Sequence, residues 1–346
     1  MVGDFPPSSS ETFFKFPADA LVISADALTT GDDNVSIGYN SLSASTGTSD
    51  CNVIGSNSGR VISSGERNNA HGKDTFYYLT TGTRNNAFGH SALQNTTTGS
   101  FNSAFGNEAA KTITTGNENT AFGAFSLGAT TTASNNTAMG YAALLANTTG
   151  NQNTAVEVRA LKENTTGLDN TAIGSETLRA NTTGDKNVGI GNSALRANTT
   201  GDANAAIGAY ALTANTTGYS NIAIGDNALK TASTVNRTIA IGDQAMEATT
   251  TGSWGVAIGH QALEAQTDAN YNVAIGFAAG KATTTGEYNV FIGGEAGEAN
   301  TTGGSNTGIG FRSLEANTTA NNNTAVGYQA LKEKTGDNKT AVGMNA

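Results

Sequence analysis

Large apolar residues return every 17 residues along most of this chain, in two columns. One column runs Ile37, Ile54, Phe88, Phe105, Phe122, Met139, Val156, Ile173, Ile190 and onward to Val326, with His71 its only polar member. The other holds Leu42, Leu93, Leu127, Leu144, Leu161, Leu178, Leu195 and, after several more, Leu331. A glycine follows the first column immediately, from Gly38 to Gly327, and lapses once, at Glu157. Repetition at one period with neither insertion nor deletion means that each unit is one coil of a solenoid, stacked on the next. A residue that returns at one period stacks on itself, so the two apolar columns are expected to form the core of a narrow rod. A core that thin accounts for a mean hydropathy of -0.28 in a folded chain.

The polar and small positions repeat as strictly. Two residues before the glycine stands alanine, as in Ala87, Ala104, Ala121, Ala138, Ala155 and Ala172. It alternates with the Ile column, so strand geometry predicts an outward alanine stripe, which argues that rods associate. Four residues before the glycine stands asparagine, as in Asn85, Asn102, Asn153, Asn170 and Asn187. Asparagine tolerates left-handed backbone, and its amide can bond to its copy one coil away, so a ladder at a corner is expected. The cluster Thr182-Thr183-Gly184 and its copies mark another corner, where glycine is expected to supply positive φ. Between the corners, Gly191 to Asn198 could form one helical turn or a short strand; so few residues leave both open. The predicted fold is mainly β, a parallel β-solenoid (β-roll) of about nineteen such coils across 22–346, on the order of 90 Å long. Residues 1–21 stand outside the repeat; they hold all three prolines, with Phe5, Phe13, Phe14 and Phe16, and read as an arm that docks a partner.

Charge narrows the function. The net charge is -10 with 13% charged residues, and no basic run exists to neutralise phosphates, so neither nucleic acid nor an anionic membrane is an expected partner. The single cysteine, Cys51, excludes an intramolecular disulfide and a cysteine-based zinc site. His71, His90 and His260 fall in different coils, and no nucleophile–base spacing stands out. The expectation is therefore no enzyme, no catalytic residue, no cofactor and no metal. No apolar run reaches membrane-spanning length, so no membrane insertion is expected. The first residues lack a basic stretch followed by an apolar one, so no secretory signal is expected either.

Recognition is sought where the repeat departs from itself. Trp254, Tyr271 and Tyr288 share one column in three successive coils. They read either as an aromatic platform for a cell-surface glycan, or as structure: a contact with a neighbouring subunit or a cover over the coil in which Gly255 replaces the asparagine. Phe277, Phe311 and Tyr328 form a sparser stripe, and His71 with Phe76, Tyr77 and Tyr78 marks an irregular coil. Phe88, Phe105 and Phe122 are expected to be core packing.

The string Asn-Thr-Ala-Ile-Gly-x-x-x-Leu, here Asn170 to Leu178, resembles the head repeats of trimeric autotransporter adhesins and repeats in bacteriophage tail fibres. The resemblance covers roughly 22–346, although the adhesin repeat is shorter than 17 residues. It implies a left-handed β-roll, a homotrimer and a role in attachment. No anchor barrel, coiled-coil stalk or C-terminal chaperone domain is recognised in the sequence, which puts a whole autotransporter in doubt. The favoured expectation is a tail-fibre rod in a virion, bound to other virion proteins through its arm. The alternative is a secreted surface adhesin or filament subunit. An ice-binding solenoid ranks below both, because adjacent threonines cannot both face outward from one strand.

Overall fold

The computed structural model describes residues 30–333 and 336–346. The arm at 1–21, with Phe5, Phe13, Phe14 and Phe16, lies outside the described residues, as does the start of the first predicted coil. Two compact units divide the chain, the first ending at Ala133 and the second beginning at Ser134. Each is a parallel β-solenoid. The first unit carries six three-residue strands, β1 (Val35–Ile37) to β6 (Thr120–Phe122); the second carries thirteen, β7 (Thr137–Met139) to β19 (Thr340–Val342). Strands pair in parallel with their copies one period away, as Val188 with Ala205 and Ile190 with Ile207. The last pairing in the second unit, Thr324 with Thr340, spans 16 residues. Among the described residues no helix occurs, and none is therefore long and apolar enough to cross a membrane.

The segment left open between helical turn and strand is neither. After each glycine the chain makes turns, with Ala194 N–H donating to Gly191 O (3.3 Å) and Asn198 N–H to Leu195 O (3.1 Å). The second and fourth residues after the glycine are left-handed, as Ser193 (φ 58) and Leu195 (φ 52) show. Repeated positive φ breaks helix propagation and turns the leucine inward, where Leu195 is fully buried.

The strand faces opposite to expectation. The alanine column is the interior one, with Ala138, Ala155, Ala172 and Ala206 all at 0% exposure. The Ile column looks outward, with Ile207 38% and Ile275 37% exposed. Phe122, assigned to the core by its column, is 55% exposed. The physical reason is space, because the inside of the coil is already filled by leucine and by asparagine. A Cβ on Gly189, which takes the alanine place, would meet Thr177 Cγ2 at 2.5 Å and Leu178 Cδ1 at 3.5 Å. A larger residue enters this column only where the leucine column yields. Phe291 is fully buried because Gly280 and Gly297 stand in leucine places; a Cβ on Gly297 would lie 2.4 Å from its ring.

The asparagine ladder is present and buried. Asn187 donates from its backbone N–H (3.0 Å) and from Nδ2 (3.1 Å) to Asn170 Oδ1, and again from Nδ2 to Gly201 O (2.8 Å). Every group at this corner is thereby satisfied by a neighbouring coil. The left-handed residue is the one before the asparagine, such as Lys186 (φ 56). The recurring glycines are constrained twice over. They adopt φ between 122 and 145, and a Cβ on Gly208 would lie 2.4 Å from Gly225 O. The corner glycines of Thr-Thr-Gly do not have positive φ, contrary to expectation. They are small because a Cβ on Gly184 would strike Gly201 O and Asn181 Oδ1, each at 2.5 Å.

Candidate functional site

The three aromatic residues singled out from the sequence do meet. Trp254, Tyr271 and Tyr288 occupy left-handed corner positions (φ 58, 59 and 59) and are exposed. Trp254 stacks on Tyr271 with centroids 5.3 Å apart and planes 4° from parallel; Tyr271 stacks on Tyr288 at 5.3 Å and 7°. The stack covers both faces of Tyr271 and one face each of Trp254 and Tyr288 with another ring. The hole expected at Gly255 is filled from inside, since Met246 Cε lies 2.4 Å from where its Cβ would be. The sparser stripe is broken at Gly294 into two pairs, His260 on Phe277 (5.7 Å) and Phe311 on Tyr328 (5.7 Å). In the first unit His71, Phe88, Phe105 and Phe122 form an outward stack on the strand face, with successive centroids 4.9, 4.8 and 5.7 Å apart. Tyr77 packs edge-on against Tyr78 (4.7 Å) and takes a hydrogen bond from Arg60.

A different cluster draws on the one coil that lacks the repeated glycine. Glu157 stands there at φ 88, where Gly140 and Gly174 take 139 and 130. Backbone strain of this kind in a non-glycine residue persists only where the surroundings hold it. In that coil and the next two, three arginines converge on Glu176. Arg196 Nε reaches Oε2 at 2.9 Å, Arg159 Nη1 reaches Oε1 at 3.4 Å, and Arg179 Nη1 reaches Oε1 at 3.6 Å. Burial works to raise the Glu176 pKa; the charges of Arg196 and Arg179 and the hydrogen bonds of Arg159 and Arg196 outweigh it and hold the group below its ordinary value. Lys162 pairs with Glu163 at 2.7 Å. Four cations thus face two carboxylates in a chain whose net charge is -10. Beside them lies a shallow recess of about 450 Å³, lined by Glu163, Arg179, Ala180, Arg196, Ala197 and Thr213.

The same two columns form a second recess of about 440 Å³ further along this unit, lined by Glu264, Ala265, Lys281, Ala282, Glu298 and Ala299. Its size and alanine lining match the first, but its charge is reversed: one lysine, 3.4 Å from Glu264, stands among two carboxylates. Close to it, Glu295, Glu298 and Glu315 bring carboxylate oxygens within 4.8 Å of one another. Arg312 Nε lies 2.5 Å from Glu295 and Lys332 Nζ 3.5 Å from Glu315, so protein cations already neutralise two of the three. The basic recess was not found from the sequence because its column, five residues after the glycine place, is mixed along the chain, holding Tyr77, Thr213, Glu247 and Glu264 as well as Lys162, Arg179 and Arg196. The signal available was the lapse at Glu157 together with three arginines close in sequence in a chain poor in charge. No protein-family model matches this chain, and no curated protein matches it.

Proposed function

We propose that this chain is a structural fibre protein without enzymatic activity, a bacteriophage tail-fibre or receptor-binding rod that acts in host attachment as a homotrimer. The observation that carries the reading is the outward strand face of the second unit. From β10 (Val188–Ile190) to β16 (Val290–Ile292), the two outward residues of each strand are valine or isoleucine, with Ala205 the one exception. Seven strands spaced ~4.8 Å apart and ~10 Å wide give a wholly apolar face of about 340 Å², and the strands on either side, with one threonine each, extend the sheet face to about 600 Å². An apolar patch of ~300–600 Å² is often functional, and the whole sheet face approaches the ~800 Å² each partner contributes to a standard stable interface. The argument for association therefore rests on isoleucine rather than on alanine. Three copies are the number implied by the resemblance to adhesin heads and tail fibres. The tail of a virion is the proposed location, with other virion proteins at the arm and a cell-surface glycan as receptor. A secreted surface adhesin built the same way is the alternative.

Native mass spectrometry and light scattering test the reading. The purified chain should run as a trimer, and Ile224→Asp with Ile241→Asp should dissociate it while far-UV circular dichroism stays unchanged. A wild-type chain that is a stable, soluble monomer at micromolar concentration overturns the proposal.

A further inference from the structure

We infer that the recess beside Arg179 and Arg196 binds a carboxylate-bearing sugar of an acidic polysaccharide. Arginine matches a carboxylate with a planar fork of donors, and such charge-assisted pairs are the strong hydrogen bonds of exposed sites. Arg196 engages Glu176 through Nε, so its two terminal nitrogens remain for a second acceptor. Arg179 reaches the same carboxylate only at 3.6 Å, too long for a good hydrogen bond. One glutamate cannot neutralise three guanidinium groups, and the surplus charge lies at the rim of a concave surface. Ala180 and Ala197 give the recess an apolar part on which the CH face of a pyranose can rest, and Thr213 and Glu163 offer partners to ring hydroxyls. At about 450 Å³ the recess falls in the ~300–1,000 Å³ range of small-ligand sites. The glycine lapse at Glu157 falls in the coil that supplies Arg159 and Lys162, so the repeat is broken where the basic cluster begins.

The recess lies five and six residues after the repeated glycine, whereas the apolar face lies one and three residues before it, so the two surfaces share no residue. The inference rests on the attachment reading for the source of the ligand. A single shallow site binds weakly, and a trimer multiplies it by presenting three.

The probe is tetragalacturonate, titrated into the full-length protein and followed by NMR or calorimetry, with maltotetraose as the neutral control. Saturable binding of the acidic oligomer alone is expected, weakened about tenfold or more in Arg179→Gln/Arg196→Gln. Lys281→Gln, in the acidic recess, should leave the affinity unchanged. Circular dichroism and native mass of each variant exclude loss of fold or assembly. Equal binding by the double variant, or no binding by the wild type at 10 mM probe (on the order of the weakest useful affinities), overturns the site. Equal binding of a sulfated tetrasaccharide overturns the carboxylate assignment. A monomer that binds tetragalacturonate overturns the trimeric fibre alone, and a trimer that does not bind overturns the site alone.

Discussion

The two units fill one interior position differently. Seven residues after the repeated glycine, the first unit places Ile62, Leu79 and Ile113 among Ser45, Thr96 and Thr130, all fully buried. At the same place the second unit buries Asn147, Asn164, Asn181, Asn198 and Asn215 just as completely. Burying an amide is costly unless its donors and acceptor are met, and from Asn147 to Asn198 they are. Asn181 Nδ2 donates to Asn164 Oδ1 (2.8 Å) and to Gly184 O (2.9 Å), and its own Oδ1 accepts from Asn198 Nδ2 (2.8 Å). A solenoid core can therefore be either apolar or a hydrogen-bonded ladder, and the choice is made per column and per stretch. The ladder binds each coil to its neighbours, whereas an isoleucine contributes mostly to its own surroundings.

That difference predicts unequal costs for exchange. Asn181→Leu should be the most damaging change, because it strands Asn164 Oδ1 and idles one of the two Asn198 Nδ2 protons, while Gly184 O keeps Asn170 Nδ2 and Asn198 Nδ2 keeps Gly201 O. With ~1–3 kcal/mol for each of the two losses, about 3–4 kcal/mol is expected in urea unfolding of the second unit. The reverse exchange, Ile113→Asn, should cost only about 2 kcal/mol, chiefly the lost burial of the isoleucine. Its neighbours in the column, Thr96 and Thr130, are buried with hydroxyls that have no hydrogen-bond partner, so a new amide finds partners waiting. Equal costs for the two exchanges would show that the ladder carries no special coupling.

Some of this was legible in the sequence. The period, the inward leucine and the asparagine ladder before each strand follow from columns alone, because stacking in a solenoid is set by the repeat length. The facing of the strand was not legible. In a three-residue strand such as Thr171-Ala172-Ile173, both candidates for the interior are apolar, and the rule that the larger residue is buried decides wrongly. Only the space already taken by Leu178 and its copies excludes isoleucine, and that is a fact about the other side of the coil. The basic recess was partly legible. Lys162, Arg179 and Arg196 stand five residues after the glycine place in three successive coils, but the same column elsewhere holds Tyr77, Thr213, Glu247 and Glu264, so along the whole chain it reads as an ordinary mixed, solvated column.

A smaller effect tests the rule behind the corner glycine. Where the interior position holds asparagine, the residue three further on is glycine in Gly150, Gly167, Gly184, Gly201, Gly218 and Gly303, with Ala320 after Asn317 the exception, and a Cβ on those glycines would lie 2.3–2.5 Å from the asparagine Oδ1. Where the position holds Ala232, that residue is Val235, fully buried. Asparagine with glycine and alanine with valine are thus two ways to fill the same volume. The junction between them leaves Asn215 Oδ1 and Thr249 Oγ1 buried without partners, one on each side of Ala232 in the column. Ala232→Asn alone should destabilise by about 1–3 kcal/mol, because its amide collides with the valine. Val235→Gly alone should cost about the same, through an empty space and a freer chain. Ala232→Asn/Val235→Gly together continue the ladder through the junction, and the new amide can join Asn215 to Thr249. The pair should therefore lie within about 1 kcal/mol of the wild type, a coupling measurable as a double-mutant cycle in urea. Additive losses would mean that the corner glycine follows from the backbone and not from the asparagine beside it.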